Sequence, residues 1–181
     1  MAQELGAWLF ARRGWLPVPV LLATLVLPPV HLGAGAAVMA LGEGIRLWAV
    51  GHIGLPSRTR DASVGALVDS GPYALVRNPL YVGNILLWTG LGVMCWPAAV
   101  VVFPAFLLYS DLIGRWEESR LRATHAEAFA AYSARVGRWL PRSLPRELGG
   151  WDVRRALRTE RGTFVVIAVV LALVAVRRLV G

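Results

Sequence analysis

Two short stretches hold most of the residues able to do chemistry. Residues 71–83 read Gly71-Pro72-Tyr73-Ala74-Leu75-Val76-Arg77-Asn78-Pro79-Leu80-Tyr81-Val82-Gly83, and the pair Glu117-Glu118 lies further along the chain. Glycine and proline impose an irregular backbone on the first stretch. Tyr73, Arg77, Asn78 and Tyr81 place polar groups along it. It opens directly into a run without charge that ends at Ser110. Irregular polar backbone against hydrocarbon is costly unless it is buried in protein or lines a cavity, so the cluster reads as a binding site. A guanidinium there suits a carboxylate or a phosphate. An acidic pair suits an ammonium, a diol or a proton to be removed. Tyrosine faces suit flat or cationic groups.

The elements that position these groups are apolar helices. No charged residue falls between Gly14 and Gly42, which is longer than the ~20 residues one untilted span requires. Pro28-Pro29 predicts a break in the middle, leaving helices over Trp15–Leu27 and His31–Ile53. Glu43 and Arg46 are spaced to share a face of the second. They read as a structural ion pair turned into the bundle, although charge inside a membrane also flags function. Residues 54–78 form a polar connector containing Pro56, Arg58, Arg60, Asp61 and Asp69. Pro97 divides the uncharged run that follows, predicting a tight hairpin of helices over Leu80–Met94 and Ala98–Ile113. Residues 115–160 are arginine-rich, with Leu121, Thr124, Ala128, Ala131 and Tyr132 at helical intervals. That pattern predicts an interfacial amphipathic helix or a helical cap, ended by Gly137, Pro141 and Pro145. The last apolar run is Thr163–Val176, closed by Arg177-Arg178.

Composition agrees with a membrane location. Of 181 residues, 56% are hydrophobic, and mean hydropathy is +0.56; soluble domains sit near about 45–50%. The first apolar run leads into a second without a cleavage site, so no secretory signal peptide is expected. The net charge of +8 comes from 19 arginines and no lysine, the usage of a GC-rich genome. The arginines flank apolar runs and accompany no nucleic-acid motif, which points to anionic lipid head groups rather than nucleic acid. Arg12-Arg13, the 54–78 connector and the 115–160 segment share one side if both hairpins return to it, and the positive-inside rule makes that side cytoplasmic. The last helix departs from the pattern and reads as short, tilted or re-entrant. The lone Cys95 excludes an internal disulfide and a cysteine-based metal site. His31, His52 and His125 are scattered, so no metal is expected.

The order Leu67-Val68, Gly71-Pro72-Tyr73, Arg77-Asn78-Pro79-x-Tyr81-x-Gly83, an apolar hairpin, Glu117-Glu118, Phe129-x-x-Tyr132 and Pro141 resembles the isoprenylcysteine carboxyl methyltransferase and phospholipid methyltransferase superfamily over residues 40–142. The resemblance implies an all-α integral membrane bundle of about five transmembrane helices with a cytoplasmic amphipathic segment. It would form a single membrane domain over residues 1–181, with residues 143–181 as an arginine-rich segment and last helix. It implies S-adenosylmethionine as cofactor and a lipid or lipophilic methyl acceptor among membrane lipids. Gly65, Ala66, Leu67 and Val68 would lie along the cofactor, and Tyr73 would contact it. Asn78, Pro79, Leu80 and Tyr81 would form the central turn, with Arg77 and Gly83 in the same set and Glu117 facing them. Glu118, or Glu117, would take a proton from an amine, and Arg115 would reach an acceptor phosphate or carboxylate. The implied location is a bacterial plasma membrane, with the site facing the cytoplasm.

Two positions depart from that pattern. Asn78 stands where histidine is commonest, and asparagine does not titrate. Ile113 or Gly114 stands where carboxyl-methylating members carry an arginine. Two rival readings share the architecture: an NADPH-dependent membrane reductase related to sterol reductases, using Arg58, Arg60 and Arg77 for phosphates, and a non-catalytic membrane assembly protein.

Overall fold

The computed structural model describes residues 2–15, 18–53, 67–144 and 150–180. The described residues form eight α-helices and no strand: α1 (Ala2–Ala11), α2 (Val18–Val26), α3 (Leu32–Ile53), α4 (Pro72–Leu75), α5 (Pro79–Met94), α6 (Ala99–Thr124), α7 (Ala126–Arg135) and α8 (Val153–Val180). The prolines act as expected. Pro28-Pro29 separates α2 from α3, Pro79 starts α5, and Pro97 falls in the turn before α6.

Three expectations need correction. The helix expected to stop at Ile113 continues to Thr124, so Glu117 and Glu118 ride on the membrane helix itself rather than on a separate interfacial one. Of the face expected on the amphipathic segment, Tyr132 is buried and Leu121 packs with it, whereas Thr124, Ala128 and Ala131 are exposed. The last helix begins at Val153, ahead of the apolar run, and takes in Arg154 to Arg161. The short helix α1 had no strong sequence signal and was not expected.

The tightest packing joins α3 to α5. A side chain at Gly42 would meet the Gly83 carbonyl oxygen at 2.7 Å, and one at Gly90 would meet the Gly35 carbonyl oxygen at 2.7 Å. Small residues at these crossings let the two backbones touch, which is how helices associate where water provides no driving force. Met39, Leu87, Leu91, Met94, Val170 and Val174 then fill a core shared by α3, α5 and α8. Ile85 of α5 packs with Val102 and Phe106 of α6, and Trp88 stacks on Phe106 at 5.1 Å. Helices α6 and α8 are long and apolar enough to cross a membrane, and α5 is a shorter apolar helix. Only 11% of the apolar window of α8 is buried, so most of its surface faces outward. Its attachment is polar. Glu160, 1% exposed, accepts two hydrogen bonds of 2.8 Å from Arg46 of α3.

Candidate functional site

The chain entering α4 follows a path that favours glycine. Gly71 has φ +57°, in the region that side chains disfavour, and packs against the His52 ring. Past α4, Val76 pairs with Gly137 in a short parallel bridge, and Arg77 N–H donates to the Gly137 carbonyl at 2.8 Å. The Tyr132 hydroxyl donates to the Tyr73 carbonyl at 2.8 Å. Residues 76–78 and 136–138 therefore run side by side over α6. The Gln-free, arginine-bearing segment after α7 is placed by backbone contacts that leave no pattern in the sequence.

Those two strips converge on Glu118. Arg77 donates to its two oxygens at 3.0 and 3.3 Å. Arg138 does so at 2.9 and 2.7 Å. Asn78 Nδ2 adds a contact of 3.1 Å. Arg77 also donates to the Val136 carbonyl at 2.7 Å, and Arg138 reaches Asp111 at 3.3 Å. The Glu118 hydrogen bond is the first cause that holds the Arg138 guanidinium above its ordinary pKa. Glu118 is 4% exposed and is the anion at the centre of a cross-link between α5, α6 and the segment after α7. Gly114 leaves room for Asn78, whose Oδ1 would lie 3.3 Å from a side chain placed there.

Glu117 points elsewhere. It is half-buried and accepts a hydrogen bond from the Tyr81 hydroxyl. Its charge acts on Tyr73, Tyr81 and Tyr109, so these groups share one locality. The Tyr73 hydroxyl is buried there without a hydrogen-bond partner among the described residues. Burial first, and the Glu117 carboxylate second, push the Tyr73 hydroxyl far above its ordinary pKa. It stays protonated and offers a donor. An unsatisfied buried hydroxyl costs roughly 1–3 kcal/mol, which a polar ligand would recover. Tyr73, Tyr81 and Glu117 thus present a phenol, an aromatic face and a carboxylate, groups suited to a nucleotide that also carries positive charge.

The other expected site residues have these places. Pro79 is buried at the first position of α5 and Leu80 is half-buried beside it. Leu67 packs against Phe129, Tyr132 and Val136, and Val68 is half-buried. Gly65 and Ala66 lie outside the described residues, as do Arg58 and Arg60. Gly83 lies at the α3–α5 crossing. Arg115 is more than half exposed and paired with Asp111 one turn earlier.

Arg138, expected with the other arginines at the lipid surface, is turned onto Glu118 instead, and several polar partners were not anticipated. Arg138 and Asp111 complete the network around Glu118, and Trp139 donates to Asp111 at 3.1 Å. Asn84 joins Glu160 on Arg46. Asp111 carried a usable signal, being the first charge after the uncharged run. Among the described residues no cluster of three or more His, Cys, Asp or Glu could hold a metal.

Comparison with known proteins returns two findings. The family described as phospholipid methyltransferase matches residues 30–128. A curated relative, the cobalt-zinc-cadmium resistance protein CzcN of Cupriavidus metallidurans, is 38% identical over 129 residues, 69% of this chain and 56% of the relative. The chain thus spans little more than half the length of that protein. No solved structure matches.

Proposed function

The chain belongs to the phospholipid methyltransferase family, and from that premise we propose that it is an S-adenosylmethionine-dependent methyltransferase whose acceptor is the primary amine of a phospholipid head group. The observation that carries this reading is the Tyr81–Glu117 pair beside the orphaned Tyr73 hydroxyl. Tyr73, Tyr81, Glu117 and the first turn of α5 are the groups that would hold the cofactor. The positive end of the α5 helix dipole would favour the cofactor carboxylate, a task for which Arg77, committed to Glu118, is not required. When bound, the cofactor supplies an electrophilic methyl on a sulfonium.

The chain's own contribution is positioning and proton handling. An ammonium must lose a proton before it attacks. Glu117 accepts it, since a carboxylate has about four lone-pair sites and Tyr81 uses one. Glu118 stays out of the chemistry, because its oxygens are already filled by Arg77, Asn78 and Arg138. Orientation of the amine against the methyl, with water excluded, supplies the remaining rate. The site faces the cytoplasm of a bacterial plasma membrane. The commitment of Arg77 also disfavours the reductase alternative, whose phosphates would need it.

The test is heat stability of the purified protein in detergent with S-adenosylmethionine, its demethylated product, and NADPH. A ligand that binds only the folded state raises stability by RT ln(1 + [L]/Kd), about 2.7 kcal/mol at a hundredfold excess over Kd. The first two should raise the melting temperature, and Glu117→Gln and Tyr81→Phe should reduce that rise while leaving the ligand-free value close to wild type. A response to NADPH alone would establish the reductase, and no response to any would leave the assembly role. Lipid extracts from cells with and without the gene then identify the acceptor by mass. In view of the relative's name, growth with and without cobalt, zinc and cadmium salts is part of that comparison.

A further inference from the structure

Helix α8 follows the segment matched by the family, and its two sides differ. Ala156, Thr159, Glu160, Val170 and Val174 are buried, the last two in the core shared with α3 and α5. The opposite side is a single line. Arg154, Arg158, Arg161, Val165, Val169 and Val176 recur at steps of three, four or seven residues, the spacing that keeps side chains on one face of a helix. All three arginines are exposed, and the three valines are more than half exposed. The line is therefore cationic over its first two turns and apolar from there on.

No acid balances these arginines. The one acid of α8, Glu160, turns inward and accepts from Arg46 at 2.8 Å. Asp152, just ahead of the helix, pairs with Arg155 at 3.4 Å and accepts its backbone N–H at 2.9 Å. Arg154, Arg158 and Arg161 have no hydrogen-bond or ion-pair partner among the described residues. At the far end of the helix Arg177 is used within the fold, donating to the Val26 carbonyl at 3.0 Å. From Arg154 to Arg161 the axis rises about 10 Å, enough to cross the head-group layer that borders a hydrocarbon core ~30 Å thick.

We propose that this outward line is a binding site for an anionic phospholipid, with the phosphate on Arg154, Arg158 and Arg161 and an acyl chain along Val165, Val169 and Val176. The proposal stands independently of the reaction assigned above. Guanidinium pairs with phosphate through paired N–H donors and, for a cation, is weakly hydrated. A soluble anion would use the arginines and leave the valines uncovered. A zwitterionic lipid would cover the valines but bring a second cation to the arginines. An anionic lipid complements both parts.

The experiment titrates the full chain, in dodecylmaltoside micelles, with phosphatidylglycerol, with phosphatidylcholine and with soluble glycerol phosphate, and follows the melting temperature. A ligand of the folded state raises it by mass action. Phosphatidylglycerol should act at the lowest concentration, and added salt should weaken its effect. A guanidinium near an anionic lipid surface contributes about fivefold in affinity, so Arg158→Gln should raise the half-saturating phosphatidylglycerol concentration by that factor. Replacing Arg154, Arg158 and Arg161 together by Gln should reduce the phosphatidylglycerol response to that of phosphatidylcholine, and replacing all three by Lys should keep most of the preference. Ligand-free melting should stay near wild type, because these side chains face away from the core; should the glutamine triple melt lower, Arg158→Gln alone carries the comparison. Arg120, Arg122 and Arg178, exposed elsewhere, are the control for net charge, and their joint replacement by Gln should leave the response intact. An equal loss in that control, or a wild-type chain with no preference for phosphatidylglycerol over phosphatidylcholine, would overturn the site. Glycerol phosphate acting as well as phosphatidylglycerol would overturn its lipid part.

Discussion

Removing the Glu118 carboxylate would leave the Arg77 and Arg138 guanidiniums facing each other with no anion between them. Breaking a buried ion pair from one side costs about 3–5 kcal/mol, and here two pairs and an amide contact are lost together. Glu118→Ala should therefore lower the melting temperature strongly, whereas Glu117→Ala should mainly reduce cofactor binding. Thermal denaturation of the two variants side by side checks this; equal melting temperatures would refute the division of labour. The sequence shows two adjacent acids at one end of an apolar helix, and either would serve as strut or base. Neighbours on a helix point about 100° apart. The distinction appears only when one of them meets the arginines that the 76–78 and 136–138 strips deliver.

Helices meet where side chains are absent. Gly83 belongs to the motif that resembles a cofactor turn, yet in the folded chain it lies at the crossing with α3, where a side chain would meet Arg46 Cγ at 2.5 Å and the Gly42 carbonyl at 2.7 Å. Gly83→Leu should push α3 and α5 apart. Overpacking of this kind costs about 1–3 kcal/mol or more, and the loss should appear in melting with and without cofactor alike. A loss confined to cofactor affinity, with melting unchanged, would return Gly83 to the binding set. The prolines and the charge-free lengths made α2, α3 and α5 legible as helices. They did not reveal where α6 ends, because nothing in residues 114–124 breaks a helix and the change from apolar to charged was mistaken for a boundary.

At the scale of the molecule the open question is orientation. Glu118, Arg138 and α7 cluster at the C-terminal end of α6, and the start of α8 carries further positive charge. The positive-inside rule predicts a cytoplasmic location for that end. In a Cys95→Ala background, Ala128→Cys on the exposed face of α7 should react with a membrane-impermeant maleimide in inverted vesicles and not in intact cells. The reverse labelling would invert the topology and the proposed source of cofactor.

Period, length and punctuation are local properties, so the chain alone conveyed a helical membrane protein, its proline-delimited segments, the Gly71–Gly83 motif and the family it resembles. Three matters depended on contacts between residues far apart in sequence. Arg138 reaches Glu118 because a two-residue bridge sets Gly137 beside Val76. Glu160 meets Arg46 across 114 positions because glycines draw α3 and α5 together and leave a polar edge for α8. Phe10 meets Trp116 because α1 folds back along α6. A side chain's charge is written in the sequence, but whether that charge is neutralised at home or left facing a ligand is set by which partner the folded backbone brings within hydrogen-bond distance.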